Sequence, residues 1–171
     1  MRLDGKVAII TGSGRGLGKE AAFLFAEEGA KVVVCDINRQ SAEEVALAIV
    51  DAGGEAMATM VDVTDSESVQ RMVDAAMERF GTIDVLVNNA GITADAQLVK
   101  MTEDQWDRVI AVNLKGVYLC TKAVAPIMIA KGSGRIINTS SVVGIYGNFG
   151  QSNYVATKAG VIGMTKVWAK E

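Results

Sequence analysis

Short apolar runs alternate with longer stretches of helical period along this chain. Residues 6–11 are Lys-Val-Ala-Ile-Ile-Thr, a β-branched run of the kind that forms a strand buried on both faces. The next segment carries Ala21, Ala22, Leu24 and Phe25 at helical spacing, with Gly29 just past its end. Residues 31–35 read as a second strand closed by Asp36, and residues 56–61 as a third, followed by Asp62. Between them Ser41 to Glu44 has the capping-box pattern, and its helix stops at Gly53-Gly54. Thr64 to Glu67 repeats the pattern, ahead of a stripe of Val69, Met72, Val73, Ala76, Met77 and Phe80. That spacing is one apolar helix face, so its methionines are core.

Residues 84–87 read as a fourth strand ending in Asn88-Asn89-Ala90-Gly91. Thr102 to Gln105 caps a long helix running to about Ala130. From Trp106 onward it is apolar on nearly all sides, so it should be buried on more than one. Residues 135–138 form a fifth strand, and a glycine-punctuated loop over 144–150 leads into a last helix. Strands alternating with helices imply an α/β fold of the Rossmann type: a doubly wound parallel sheet of order 3-2-1-4-5. Ligands belong at the carboxyl ends of the strands, between strands one and four. A fifth strand left as an apolar edge, and a last helix without a stop signal, predict a C-terminally incomplete domain.

Composition narrows the picture. The chain has 171 residues, half of them hydrophobic, 22% charged, with net charge -3. One domain with a sizeable core is expected. The basic residues are dispersed, so no nucleic-acid surface is expected. No apolar run looks long enough to span a bilayer, and the N-terminus is no signal peptide. Cys35 and Cys120 fall in apolar contexts and read as buried thiols of a cytoplasmic protein. There is no histidine. Acid–base chemistry must therefore fall to Tyr, Lys, Asp or Glu, and no metal site is expected.

Two stretches carry candidate chemistry. Thr11-Gly12-Ser13-Gly14-Arg15-Gly16-Leu17-Gly18 joins an apolar strand to a helix. There, backbone N–H groups and a helix N-terminus can meet a pyrophosphate. Asp36 can accept hydrogen bonds from an adenosine ribose and repel a 2'-phosphate, which favours NAD(H). Arg15 and Arg39 could pair with that phosphate, which leaves NADP(H) open. Asp62 could bond an adenine amino group or simply cap the next turn. In the second stretch Tyr154 and Lys158 stand four apart on a helix, hence on one face. A positive charge beside a phenol favours the phenolate, which suits it to proton transfer near neutrality. Tyr-x-x-x-Lys alone is a weak signal, since surface helices produce it by chance.

Together the motifs are specific. Thr11-Gly-x-x-x-Gly16-x-Gly18, Asn88-Asn89-Ala90-Gly91, Asn113, Ser141 and Tyr154-x-x-x-Lys158 stand in order and spacing that resemble the short-chain dehydrogenase/reductase family. Gly134-Arg135-Ile136-Ile137-Asn138 and Gly150-Gln151-x-Asn153-Tyr154 look most like its 3-oxoacyl-[acyl-carrier-protein] reductases. The resemblance implies hydride transfer between a nicotinamide and a carbonyl or secondary alcohol, such as an acyl thioester. It implies that Tyr154 passes the proton, Lys158 tunes it and bonds the nicotinamide ribose, Ser141 donates to the substrate oxygen, and Asn113 holds a water leading from Lys158. It places Gly12, Ser13, Arg15, Gly16, Leu17, Gly18, Asp36, Asp62, Val63, Asn89, Ala90, Gly91, Ile92, Tyr154 and Lys158 against the cofactor. It also implies a homo-oligomer, dimer or tetramer, paired through the long helix. The family's members are longer than this chain. A nucleotide-binding or regulatory module without turnover is the alternative, distinguished by cofactor binding with no ketone reduction.

Overall fold

Alternation within each strand divides the core between two faces of one sheet. Val7 and Ile9, Val33 and Cys35, and Leu86 point to one side, and Ala8 and Ile10, Val32 and Val34, Val85 and Val87 to the other. The computed structural model describes residues 1–171. Its strands are β1 (Val7–Thr11), β2 (Lys31–Asp36), β3 (Glu55–Met60), β4 (Val85–Asn88) and β5 (Arg135–Asn138). All pairs are parallel, in the order β3-β2-β1-β4-β5. This is the expected Rossmann-type order. Every β1 residue is buried, as a central parallel strand requires.

Helices cover both faces. α1 (Gly16–Glu27) and α2 (Arg39–Asp51) contribute Ala22, Ala42, Val45 and Ile49 to one core. α3 (Ser66–Phe80) and α5 (Gly116–Lys131) contribute Val69, Met72, Val73, Cys120 and Val124 to the other. Side chains such as Ile9, Ile49 and Met72 are wholly buried, each worth about 1.5–3 kcal/mol. The core methionine stripe is therefore where its period put it. β5 pairs only with β4, and Ile137 on it stays 47% exposed.

Two helix starts differ from expectation. α2 begins before Ser41: the Asn38 side chain accepts the Ser41 N–H at 3.0 Å and is the cap. α3 is capped by Asp65, which accepts from the Glu67 and Ser68 N–H groups, while Thr64 bonds back to Asp62. Each cap sits where its carboxylate or amide reaches the third residue of the helix. The box at Thr102 and Gln105 is as expected and opens α4 (Glu103–Ile110).

The long helix is one rod, Glu103–Lys131, but not a regular one. Its middle, Ala111–Lys115, is a π turn, and only then does α5 begin. By length and composition this rod is apolar enough to cross a membrane, contrary to the expectation from the sequence. It behaves as a core helix: Val109, Val117, Cys120, Val124 and Met128 are buried, and α5 packs on α3 and β4. The loop expected over residues 144–150 holds a short helix, α6 (Val143–Tyr146), and the chain then enters α7 (Ser152–Trp168).

Candidate active site

The glycine turn is locked from beneath. Thr11 at the end of β1 is buried, and its hydroxyl oxygen accepts the N–H groups of Asn89 and Ala90, each at 3.0 Å. Asn89 returns the link, its amide donating to the Thr11 and Gly12 carbonyls. The two loops approach so closely that Gly12, at φ +64°, has room for no Cβ: one would stand 2.9 Å from Ala90 Cα. At Gly18 a Cβ would fall on the Gly12 carbonyl and the Asn89 amide. At Gly16, φ +56°, a Cβ would meet nothing within 4 Å, because the cleft lies open there. No side chain caps the start of α1 at Arg15, and its first turn holds no acidic residue. Its N–H groups are left to an anion. This cradle fits a dinucleotide.

The cleft has a volume of about 410 Å³. Gly12, Arg15, Gly16, Leu17, Gly18, Asp36, Asp62, Val63, Asn89, Ala90, Gly91 and Ile92 line it, as expected, and so do Ile37, Val61 and Val112. The last three are plain apolar residues whose part could not be told from core. Ser13 stands apart from these: it is wholly buried, its hydroxyl donates to the Ile10 carbonyl at 2.6 Å, and it accepts the Cys35 N–H. Its own N–H goes to the Cys35 carbonyl. Ser13 is therefore a rivet between β1 and β2 and does not line the cleft.

Asp36 is fixed at the edge of the cleft. One carboxylate oxygen accepts the Gly14 N–H at 3.1 Å, the other the Asn38 N–H at 3.0 Å. Arg39 is turned away to Glu43 at 2.8 Å and does not line the cleft, whereas Arg15 does. Asp62 lines it too, but its Oδ1 accepts from the Thr64 N–H and hydroxyl, so one of its oxygens is the turn cap.

Three further residues gather on α7 and the turn before it. Lys158 is 4% exposed, and its Nζ donates to the Thr139 carbonyl at 2.7 Å. Burial pushes the pKa of this ammonium down. Its Nζ lies 5.5 Å from the Tyr154 ring centre, so the phenol and the cation share one face as their spacing required. The Ser140 hydroxyl donates to the Lys158 carbonyl at 2.8 Å. That engages the Ser140 hydroxyl in structure, whereas the Ser141 hydroxyl oxygen only accepts the Val143 N–H at 3.4 Å. Gly144 allows the contact, since a Cβ there would meet the Ala159 nitrogen at 2.9 Å. Ser141, Tyr154 and Lys158 do not wall the 410 Å³ cleft. A larger groove of about 1050 Å³ between α5, β5 and α7 holds none of the site residues.

Asn113 sits in the π turn and is wholly buried. Its amide accepts the Ile92 N–H and donates to the Ile92 carbonyl, both at 2.8 Å. The side chain is thus a strut for the cleft wall. The two cysteines take no part: burial holds the Cys35 thiol well above its ordinary value and pushes Cys120 up to about 12.

Known proteins resemble this chain. The chain is 52% identical to the 3-oxoacyl-[acyl-carrier-protein] reductase FabG of Thermotoga maritima, over all of this chain and 70% of that one. It is 48% identical to the peroxisomal multifunctional enzyme type 2 of Drosophila melanogaster, of which it spans 30%. The crystal structure of a short chain dehydrogenase from Mycobacterium avium superposes with a TM-score of 0.95 at 42% identity. The match covers all of this chain and 64% of that one. The family model for short chain dehydrogenase matches residues 6–171, and the chain belongs to that family.

Proposed function

We infer that the protein is an NAD(P)-dependent oxidoreductase that reduces a carbonyl or oxidises a secondary alcohol, and that its substrate is a 3-oxoacyl thioester. The observation that carries the reaction class is the pairing of Lys158 with Tyr154 beside a dinucleotide cleft. A nicotinamide dinucleotide bound there would supply or accept the hydride. The residues do the rest. The uncapped start of α1 and Gly16 to Gly18 would hold the pyrophosphate. Tyr154 passes its phenolic proton to the substrate oxygen as charge develops on it. Ser141 donates to the same oxygen. Lys158, anchored by one of its three donors to Thr139, keeps a positive charge beside the phenol and has donors left for a ribose.

The substrate class rests on likeness to the Thermotoga reductase. The cofactor reading is NAD(H): Asp36 presents a fixed carboxylate where a 2'-phosphate would stand, and Arg39 is occupied by Glu43. Arg15 is the one arginine in place to favour NADP(H). Ile92 takes one N–H and one lone pair of the Asn113 amide, which leaves the second of each for the water. We extend the reading to a cytoplasmic homo-oligomer.

The test is turnover of a short 3-oxoacyl thioester with each reduced cofactor. Tyr154→Phe should lower kcat by about 10²–10⁴-fold and leave cofactor affinity nearly unchanged. A variant with wild-type kcat would remove Tyr154 from the chemistry. Cofactor binding without turnover of any ketone would instead favour a regulatory module.

A further inference from the structure

Asn153 is a wholly buried amide directly before Tyr154 that the reaction does not use. Its Nδ2 carries two hydrogens and meets two carbonyls, Ala94 at 3.0 Å and Gln105 at 3.1 Å. Its Oδ1 accepts the Tyr154 N–H at 2.7 Å. Both donors and an acceptor lone pair are therefore engaged by three different segments: the loop after β4, the first turn of α4, and α7.

These contacts close a frame with Asn113. Asn113 stands on the same rod as Gln105 and grips both backbone groups of Ile92. Asn153 grips Ala94, two residues on. Residues 92–94 are thus held between two buried amides, one in the π turn and one peptide-bonded to Tyr154. Ile92 walls the dinucleotide cleft. A displacement of that wall must move Ala94, and with it the start of α7. Outside the frame, exposed contacts repeat the stitch: Gln151 to Asp95 at 2.8 Å, and the Ala96 N–H to the Gly150 carbonyl at 2.8 Å.

We propose that Asn153 is a positioning residue that couples the wall of the cofactor cleft to the placement of Tyr154. The chemistry demands an amide at this position. A short side chain must offer two donors and one acceptor at once. Asp lacks the donors, Leu lacks all three, and Ser offers one donor. The inference rests on the reading of Tyr154 as the proton donor.

The experiment compares Asn153→Leu and Asn153→Ser with the wild-type full chain. A misplacement of about 1 Å at a reacting group costs on the order of 10²-fold. Asn153→Leu should therefore lose about 10–100-fold in kcat, with KM for the thioester and Kd for the dinucleotide changed by less than about threefold. Asn153→Ser should recover part of the loss. A lowered melting temperature with wild-type kcat would show a structural residue only and would overturn the proposal. If Asn153→Leu does not fold, Asn153→Ser alone must show the kcat loss at unchanged KM. If the wild-type protein reduces no carbonyl, the function fails on its own. The coupling is then read by amide hydrogen exchange, where Asn153→Ser should speed exchange at residues 92–96 and 154–157 together. Exchange that changes in neither segment, or in only one, would overturn it.

Discussion

A single carboxylate shows how much a residue's setting decides. Asp36 is nearly buried and already accepts two backbone N–H groups. It therefore holds its place before any ligand arrives, and a second anion beside it would meet an unyielding charge. Like charges set together in a site cost several kcal/mol. Asp36→Asn keeps the shape and removes the charge. The proposed preference for NAD(H) over NADP(H) should fall by about tenfold or more in this variant, measured by calorimetric titration of both at equal ionic strength. An unchanged ratio would mean that Arg15 sets the choice. Residue roles were legible where type alone restricts the chemistry. Gly12 and Gly18 are such cases, since only glycine fits two backbones in near contact. They were not legible where one residue type serves two ends. Ser13 sits in the glycine-rich turn yet faces inward, because the Ile10 carbonyl and Cys35 N–H offer it better partners. Asn153 carried no signal apart from its place in a motif, since its partners are backbone groups remote in sequence.

Elements meet at a second carboxylate, at the opposite ends of the strands from the cleft. Asp84 accepts the Val7 N–H at 2.9 Å and the Lys131 ammonium at 2.6 Å. Its backbone bonds Val7 and Arg135. It thus joins the starts of β1, β4 and β5 to the end of α5. Burial pushes its pKa up, but the Lys131 bond and the Val7 N–H outweigh that and hold it below the ordinary value. A carboxyl with a lowered folded-state pKa stabilises the fold above its unfolded value, and that stability is lost as pH falls through the folded one. Asp84→Asn should cost about 1.5–3 kcal/mol near neutrality. The gap between wild type and variant should shrink below about pH 4. Urea unfolding across pH 3 to 7 checks this, and a constant gap would exclude the titration. Strand positions were readable to within a residue because a buried parallel strand is a continuous apolar run. Helix starts were less so: Asn38 and Asp65 cap from one turn earlier or one residue later than the Ser and Thr boxes suggested.

At the scale of the molecule, the two-sided core follows directly from strand alternation, and the sheet order from the βα repeat. What remains outside the core is informative. The long helix leaves Trp106, Tyr118 and Ile129 large and exposed, with Lys122 over the Tyr118 ring. Such a face should pair with a second copy. Light scattering of the full-length protein should report a dimer or tetramer at micromolar concentration. Tyr118→Glu with Ile129→Glu should lower that mass. A wild-type monomer would remove the idea.

The π turn also accounts for part of the odd look of that helix as a string of letters. A turn closed from i to i+5 takes one residue more than an α turn. At about 100° per residue, every side chain after it is rotated out of phase with those before. The rod is thus two helices on one axis, each with its own stripe. Upstream, α4 packs on α7; downstream, α5 packs on α3 and β4. Laid over each other on a single helical wheel, the two stripes fall out of phase and widen the apolar surface. Unwound by one residue at Asn113, α4 separates as an amphipathic helix, whereas α5 stays apolar on its outer side as well, where Tyr118 and Ile129 are exposed. The first stripe carries the Tyr154 helix, and the second belongs to the core beneath the sheet.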